Sequence, residues 1–417
     1  MSDQSAADLP QRQSTLYVVL LAVLIGFSLM DRQILSIIAE PVKHEFGLSD
    51  TQLGLLTGTY FALVFAVASI PIAWSADRIS RTGILTVCAT FWALCTAGMG
   101  AATSFFQLAI TRMGIAVGEA GCNPCAQSLI ADYVPVERRN RAMAIYVLGS
   151  PAGVIAAGIV GGYLTDAFGW RAALYALGGA SLLVALIASL YLPEPKRRDT
   201  TKASGNGTGY LALTKKPAFR YIIASSAFAA IAIYGGLVWG TVFVVRYYDW
   251  TPGKAGQVFG TIGAVVALGG AWLGGPISDY LTKRNKRWQM WFPAIVIFLA
   301  TPFSIASVFS HTILVLIIAS SGEAFFRTMS FAPVAAALQR LAPDSARARA
   351  AATAGVTGTL VGLGLGPTIV GALSDGLVPY VGTDSLRYGM LSLVIPQVLA
   401  AYCCWQAAAT IDRDFVD

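Results

Sequence analysis

Charge is what this sequence has least of. Of its 417 residues, 12% are charged and 56% hydrophobic, whereas an ordinary soluble domain carries about 25% charged residues. So thin a supply excludes a soluble enzyme, a disordered chain and a nucleic-acid binder, despite a formal charge of +7. Histidine is scarcer still. His44 and His311 are the only two, and both lie at the ends of apolar stretches, so no imidazole relay crosses the protein. The six cysteines (88, 95, 122, 125, 403 and 404) sit inside apolar stretches, which argues against a disulfide framework and makes them small packing residues. Cys122-Asn-Pro-Cys125 has C-x-x-C spacing, but at mid-span Pro124 reads as a kink rather than part of a redox or metal centre. A Walker loop, H-E-x-x-H and G-x-S-x-G are also missing. ATP-driven work and familiar intramembrane hydrolysis lose their usual support, and no enzyme activity, cofactor or metal is expected. The opening residues up to Ser14 lack the pattern of a cleaved leader.

Long apolar runs, by contrast, fill the chain. Each window of roughly 20 apolar residues can cross a ~30 Å hydrocarbon core. They fall at 16–39, 51–74, 84–103, 105–131, 141–166, 170–193, 219–246, 254–280, 288–308, 312–340, 347–375 and 386–409. The expected fold is therefore an all-α integral membrane protein of twelve transmembrane helices. The 42 glycines suit closely packed membrane helices. One long polar stretch interrupts the pattern, containing PEPKRRDTTKASGNGTG, and its composition reads as a solvated linker. It divides the chain into a six-helix bundle at 1–193, a linker at 194–217 and a second bundle at 218–417.

Basic residues orient the chain. With the N-terminus inside, inner segments hold Arg138, Arg139 and Arg141, the linker bases, and Lys283, Arg284, Lys286 and Arg287, among others. Outer segments hold Lys43, Arg171, Arg246, Lys254 and Arg387. The excess inside predicts that both termini are cytoplasmic.

Three short patterns recur in the same order at nearly constant separation. Asp77-Arg78-x2-Arg81 returns as Asp279-x3-Lys283-Arg284, Pro135-x5-Arg141-Ala142 as Pro343-x5-Arg349-Ala350, and Gly162-x3-Asp166 as Gly371-x3-Asp375. Such parallel repeats imply two halves related by an axis along the membrane normal.

Residues 73–82 resemble the loop 2–3 motif of the major facilitator superfamily, G-x3-D-R-x-G-R-[RK]. Ala73, Ser80 and Thr82 depart from it, while Asp77, Arg78 and Arg81 are kept. The second copy keeps Gly275, Asp279 and Lys283. The resemblance implies a conformational latch made by Asp77, Arg78, Arg81, Asp279 and Lys283, in which acids and bases bond neighbouring helix ends. Inner-loop bases that merely obey the topology rule are the alternative. Gly149-Ser-Pro151-Ala-Gly153, followed by Gly158, Gly161 and Gly162, resembles a fifth-span motif of antiporters in the same superfamily, though plain tight packing accounts for it equally well.

Phe27-x2-Met30-Asp31-Arg32-x2-Leu35, the run from Glu45 to Phe61, and Arg112-x5-Gly118-Glu119-Ala120 extend a resemblance to the Spinster family over nearly the whole chain. Eukaryotic members of that family are associated with export of lysolipids and sphingoid phosphates. What this implies here is transport by alternating access in a bacterial inner membrane, by a monomer.

Six ionisable residues lie at membrane depth: Asp31, Arg32, Arg112, Glu119, Glu323 and Arg327. A charge at mid-helix costs at least ~2.5–3.5 kcal/mol on insertion scales, so each needs a partner or a polar cavity. Asp31 and Arg112 lie at matching depths of ~10 Å by helical rise, which predicts that they meet. Glu323 and Arg327 are spaced i, i+4 with the acid first, the favourable order within a helix. Asp31 and Glu119 are the candidate proton-coupling acids, since carboxylates must carry any proton here. Arg32, Arg112, Glu323 and Arg327, with the aromatics Tyr60, Phe61, Trp239 and Phe243, are candidates to line the substrate cavity. The expected partners are protons, membrane lipids and a small amphipathic or anionic substrate. A sugar-acid carrier and a non-transporting receptor or scaffold remain the alternatives.

Overall fold

The computed structural model describes residues 11–76, 78–195, 208–343 and 346–414. Among the described residues every regular element is helical. Nine continuous helical stretches among the described residues are long and apolar enough to cross a membrane. Two of them, Val136–Tyr191 and Arg349–Ile411, each hold a pair of spans, and 105–133 adds another that breaks at Gly121. The twelve spans are α1 (Gln11–Ile37), α2 (Asp50–Ala76), α3 (Arg81–Gly100), α4 (105–133), α5 (139–168), α6 (170–191), α7 (Pro217–Tyr248), α8 (Pro252–Thr282), α9 (Trp288–Val308), α10 (Ile313–Leu341), α11 (347–381) and α12 (385–414). Gly169, at φ 85°, makes the corner between α5 and α6. In α4 the helix breaks at Gly121, and Pro124 stands in the first turn of the segment that follows, where its missing N–H costs no helical bond.

Large apolar side chains cover much of the outer surface. Val67, Ile70, Val87, Leu190 and Trp272 are all exposed, as they are on a helix that faces hydrocarbon while its backbone bonds are satisfied internally.

The chain folds into two compact units. The first holds the described residues through Leu48, Tyr60 to Pro195, and Val244–Thr261; the second holds Ser49–Thr59, Thr208–Phe243 and Ile262 onward. Each unit thus follows one sequence half, apart from an exchanged segment.

Within the first unit, glycine brings helices into backbone contact. A Cβ on Gly149 or Gly153 of α5 would lie 2.0 Å from the carbonyl oxygen of Ala22 or Gly26 in α1. Gly149 and Gly153 of the span-5 pattern therefore form the surface on which α1 seats, while Gly158 and Gly162 meet Gly256 and Gly253. Gly118 of α4 packs on the Trp92 backbone and Gly178 of α6 on Ala93 and Ala97, wedging α3 between two neighbours.

The repeated Gly-x3-Asp pattern has the same structural use in both units. In the second, Asp375 accepts the N–H groups of Asp50 (3.0 Å) and Thr51 (2.7 Å) and the Thr51 hydroxyl (2.6 Å). In the first, Asp166 accepts the Gly253 N–H (2.9 Å) and the Thr251 hydroxyl (2.6 Å). Each acid closes the open N–H groups at the start of a helix, α2 or α8, where negative charge is also favoured. The glycine one turn earlier makes the approach possible. A Cβ at Gly371 would stand 2.2 Å from the Asp50 carbonyl oxygen, and one at Gly162 would stand 2.8 Å from the Gly253 Cα.

Candidate functional site: buried charges in the first unit

Four of the six ionisable residues at membrane depth gather in the first unit. Asp31, Arg112 and Glu119 are 2%, 1% and 1% exposed, and Arg32 is partly buried beside them. Arg32 Nε donates to Glu119 Oε2 at 2.6 Å, and the Ser28 hydroxyl donates to the same oxygen at 2.8 Å. Phe61 of α2 lies beneath both guanidiniums, at 4.8 Å from Arg32 and 4.5 Å from Arg112, measured to the ring centroid. Phe65 stacks on Phe61 and takes Arg32 at 5.2 Å. Away from water these ring faces hold a cation well.

The expected meeting of Asp31 with Arg112 needs correction. Arg112 Nη1 reaches Asp31, but at its main-chain carbonyl oxygen, 3.5 Å away. Neither carboxylate oxygen of Asp31 has a hydrogen-bond partner. Matching depth was the right criterion for which helices meet, but it says nothing of rotation. Successive residues on a helix diverge by about 100°, so Arg32 turns to α4 while the Asp31 carboxyl turns to α3, towards Trp92 and Thr96.

The remaining candidates lie elsewhere. Glu323 and Arg327 pair within α10 at 2.5 Å, both partly buried in the second unit. Tyr60 meets the Phe105 ring at 6.3 Å. Trp239 is fully buried in the second unit, its indole N–H donating to the Pro367 carbonyl at 2.8 Å, so it ties α7 to α11. Phe243 is also buried, with the Arg387 guanidinium over its ring at 5.2 Å.

Of the latch residues, Asp77 lies outside the described residues. Arg78 is exposed and stacks on Trp74 at 3.7 Å. Arg81 is 6% exposed and makes the junction. It donates to Asp132 (2.5 Å) and Ser128 (2.9 Å) of α4, and to Glu194 (3.2 Å) beyond α6. Glu194 also accepts the Thr82 N–H and the Ser80 hydroxyl, each at 2.8 Å. Burial pushes its carboxyl up, but these bonds outweigh burial and hold it below the ordinary carboxylate value. Asp279 and Lys283 are exposed at the end of α8.

Sequence reasoning overlooked Asp132, Glu194, Ser28, Trp92 and Thr96. A signal existed for two of them. Ser28 precedes Asp31 and Arg32 by three and four positions, hence lies on their face, and Glu194 stands between two prolines where the apolar run stops. All six cysteines are free, and among the described residues no group of His, Cys, Asp and Glu could hold a metal.

Buried carboxyls and guanidiniums, assembled between membrane-spanning helices of a twelve-helix repeat protein, match a known architecture. The family model described as Major Facilitator Superfamily matches residues 21–367. The chain belongs to this superfamily. It is a multi-pass membrane transporter by family, not an enzyme. An "MFS-type efflux pump" of Mycolicibacterium smegmatis is 32% identical over 97% of this chain and 95% of its own length. "Protein spinster homolog 1" of Xenopus laevis is 27% identical over 97% of this chain and 82% of its own. Among solved structures, a bacterial homologue of the human lysosomal transporter Spinster, inward-facing and unoccupied, superposes with a TM-score of 0.90. It is 26% identical and covers 98% of this chain and 100% of its own. The protein thus resembles bacterial Spinster transporters in sequence and fold.

Proposed function

We propose that this superfamily member is a proton-coupled secondary transporter that moves an amphipathic anionic lipid, of lysophospholipid or sphingoid-phosphate type, by alternating access. The observation that carries the reading is the buried cluster in which Glu119 holds Arg32 while Arg112 lies on Phe61 beside Asp31. Two acids and two bases in a low-dielectric site constitute a charge balance that one proton or one anion upsets. A phosphate or carboxylate headgroup takes an arginine fork bidentately and competes with Glu119 for Arg32. The displaced acid then takes a proton, so headgroup and proton are held by the cluster together. The half-buried rings of Phe65 and Tyr60 continue the site on α2 as apolar surface for an acyl chain, beside the buried Phe61. The basic residues of the linker and inner loops support an orientation with both termini cytoplasmic, and the proposal places the protein in a bacterial inner membrane as a monomer.

Counterflow in proteoliposomes tests the reading. A labelled lysophospholipid is expected to exchange saturably, with a rate set by the pH gradient and abolished in Arg112→Ala. Saturable exchange of a sugar acid, with no competition from any lysolipid, assigns the protein to small-anion transport instead. Exchange of neither refutes transport of both classes.

A further inference from the structure

Six polar side-chain atoms are left unbonded in and around the buried cluster of the first unit, Arg112 Nε and Glu119 Oε1 among them. Both carboxylate oxygens of Asp31 are shut from solvent without a partner, and so are Trp92 Nε1 and Thr96 Oγ1. The two donors are the α3 groups nearest the Asp31 carboxyl, yet neither meets hydrogen-bond geometry in this arrangement. An unmade bond leaves both groups with their full desolvation penalty, so two orphaned acceptors beside two orphaned donors are a seat held open. Trp92 and Thr96 are one helical turn apart on the same face of α3 and are 0% and 1% exposed. Gly118 and Gly178 press α4 and α6 onto this stretch of α3, so the donors are fixed and the carboxyl is the part that moves. The charged groups that face Asp31 are Glu119 and Arg112 on α4. Arg32, next on its own helix, is turned to Glu119. The backbone contacts of α5 with this helix, at Gly149 and Gly153, lie nearer its start, at Ala22 and Gly26, and from α3 the neutral Trp92 and Thr96 approach.

We propose that Trp92 and Thr96 are the positioning residues of the Asp31 carboxyl, seating it differently in its charged and neutral states. The chemistry of the pair assigns their roles. Indole N–H only donates, so Trp92 holds the carboxylate more tightly than the neutral acid, whose carbonyl oxygen is the weaker acceptor. A hydroxyl donates or accepts, so Thr96 gives its proton to the carboxylate and receives the O–H of the neutral acid. The proposal rests on the proton-coupled reading and deepens it, because a carboxyl that exchanges seats on titration also exchanges its hold on α3.

Infrared difference spectroscopy of the full chain in nanodiscs, titrated from acid to alkaline pH, tests this without a substrate. The protonated Asp31 carbonyl band is assigned by its loss in Asp31→Asn. Trp92→Phe is expected to raise the pH midpoint of that band by about one unit, the effect of one donor to a charged group. Thr96→Val is expected to shift the band frequency, since the acid loses its acceptor, and Thr96→Ser to restore it. A titrating band whose midpoint and frequency are the same in all three variants overturns the seat and leaves proton coupling standing. If the wild-type chain shows no protonated-carboxyl band of Asp31 or of Glu119 at any pH, the latter assigned by Glu119→Gln, both readings fall.

Discussion

Removing Arg81 should damage this transporter more than removing Glu194, although the two share a hydrogen bond. Arg81→Ala leaves the Asp132 carboxyl, 12% exposed, without its main counter-charge. Breaking a buried pair from one side costs about 3–5 kcal/mol, because the stranded charge keeps its desolvation penalty. Glu194→Ala strands nothing comparable. It removes the acceptor of the Thr82 N–H, the Ser80 hydroxyl and Arg81 Nε, but Arg81 keeps Asp132 and Ser128, and water reaches a side chain that is 33% exposed. The loss of a charge at a helix start is then about 1–2 kcal/mol. The pH dependence separates the two effects further. The folded carboxyl of Glu194 lies below the ordinary 4.5, so its contribution is complete above that value and is lost as pH falls through the folded value. Thermal denaturation in nanodiscs at one heating rate, since unfolding of such proteins is rate-controlled, is the assay. Arg81→Ala is expected to melt well below Glu194→Ala at pH 7, and the gap between wild type and Glu194→Gln to close as pH falls below 4.5 and through the lowered folded value. Equal melting of the two alanine variants at pH 7, or a Glu194→Gln gap that persists in acid, refutes the reasoning.

Three further outcomes are expected. Asp375→Ala removes three hydrogen bonds from the start of α2 and should lower stability by about 1–2 kcal/mol; Asp166→Ala, with two such bonds to residues 251 and 253, should do so by slightly less, and melting curves at neutral pH rank them. Gly153→Val, whose Cβ would stand 2.0 Å from the Gly26 carbonyl oxygen, should abolish folded, monodisperse protein on size exclusion, while Gly179→Ala, with nothing within 4 Å, should leave it intact. Asp31→Asn and Glu119→Gln should each diminish the pH response of spin-label distances between helices, and the double variant should lose it; an undiminished response in the double variant removes both acids from the mechanism.

Twelve spans and the repeated halves were legible in the sequence because each follows from composition along one dimension; most of the expected linker, 196–207, lies outside the described residues, and Thr208–Lys215 within it is helical. A membrane span needs only a long enough apolar run, and a Gly-x3-Asp pair repeats its spacing whatever it touches. The candidate charges were legible for the same reason: an Asp or Arg in hydrocarbon is conspicuous by its cost. Their partners were not. Depth follows from counting residues, but rotation about a helix axis is set by how glycines such as Gly118, Gly149 and Gly153 let neighbours dock. That docking turned Arg32, rather than Asp31, towards α4 and gave Glu119 to it. It also turned the Asp31 carboxyl to Trp92 and Thr96, which nothing in the sequence distinguishes from other residues of an apolar helix. Likewise Glu194 reads as the first residue of a linker, and only the folded chain brings it to the start of α3, over a hundred residues earlier, where three donors await a carboxylate. Burying a charge and naming its expense are properties of the segment; choosing what neutralises it belongs to the packing of helices distant in sequence.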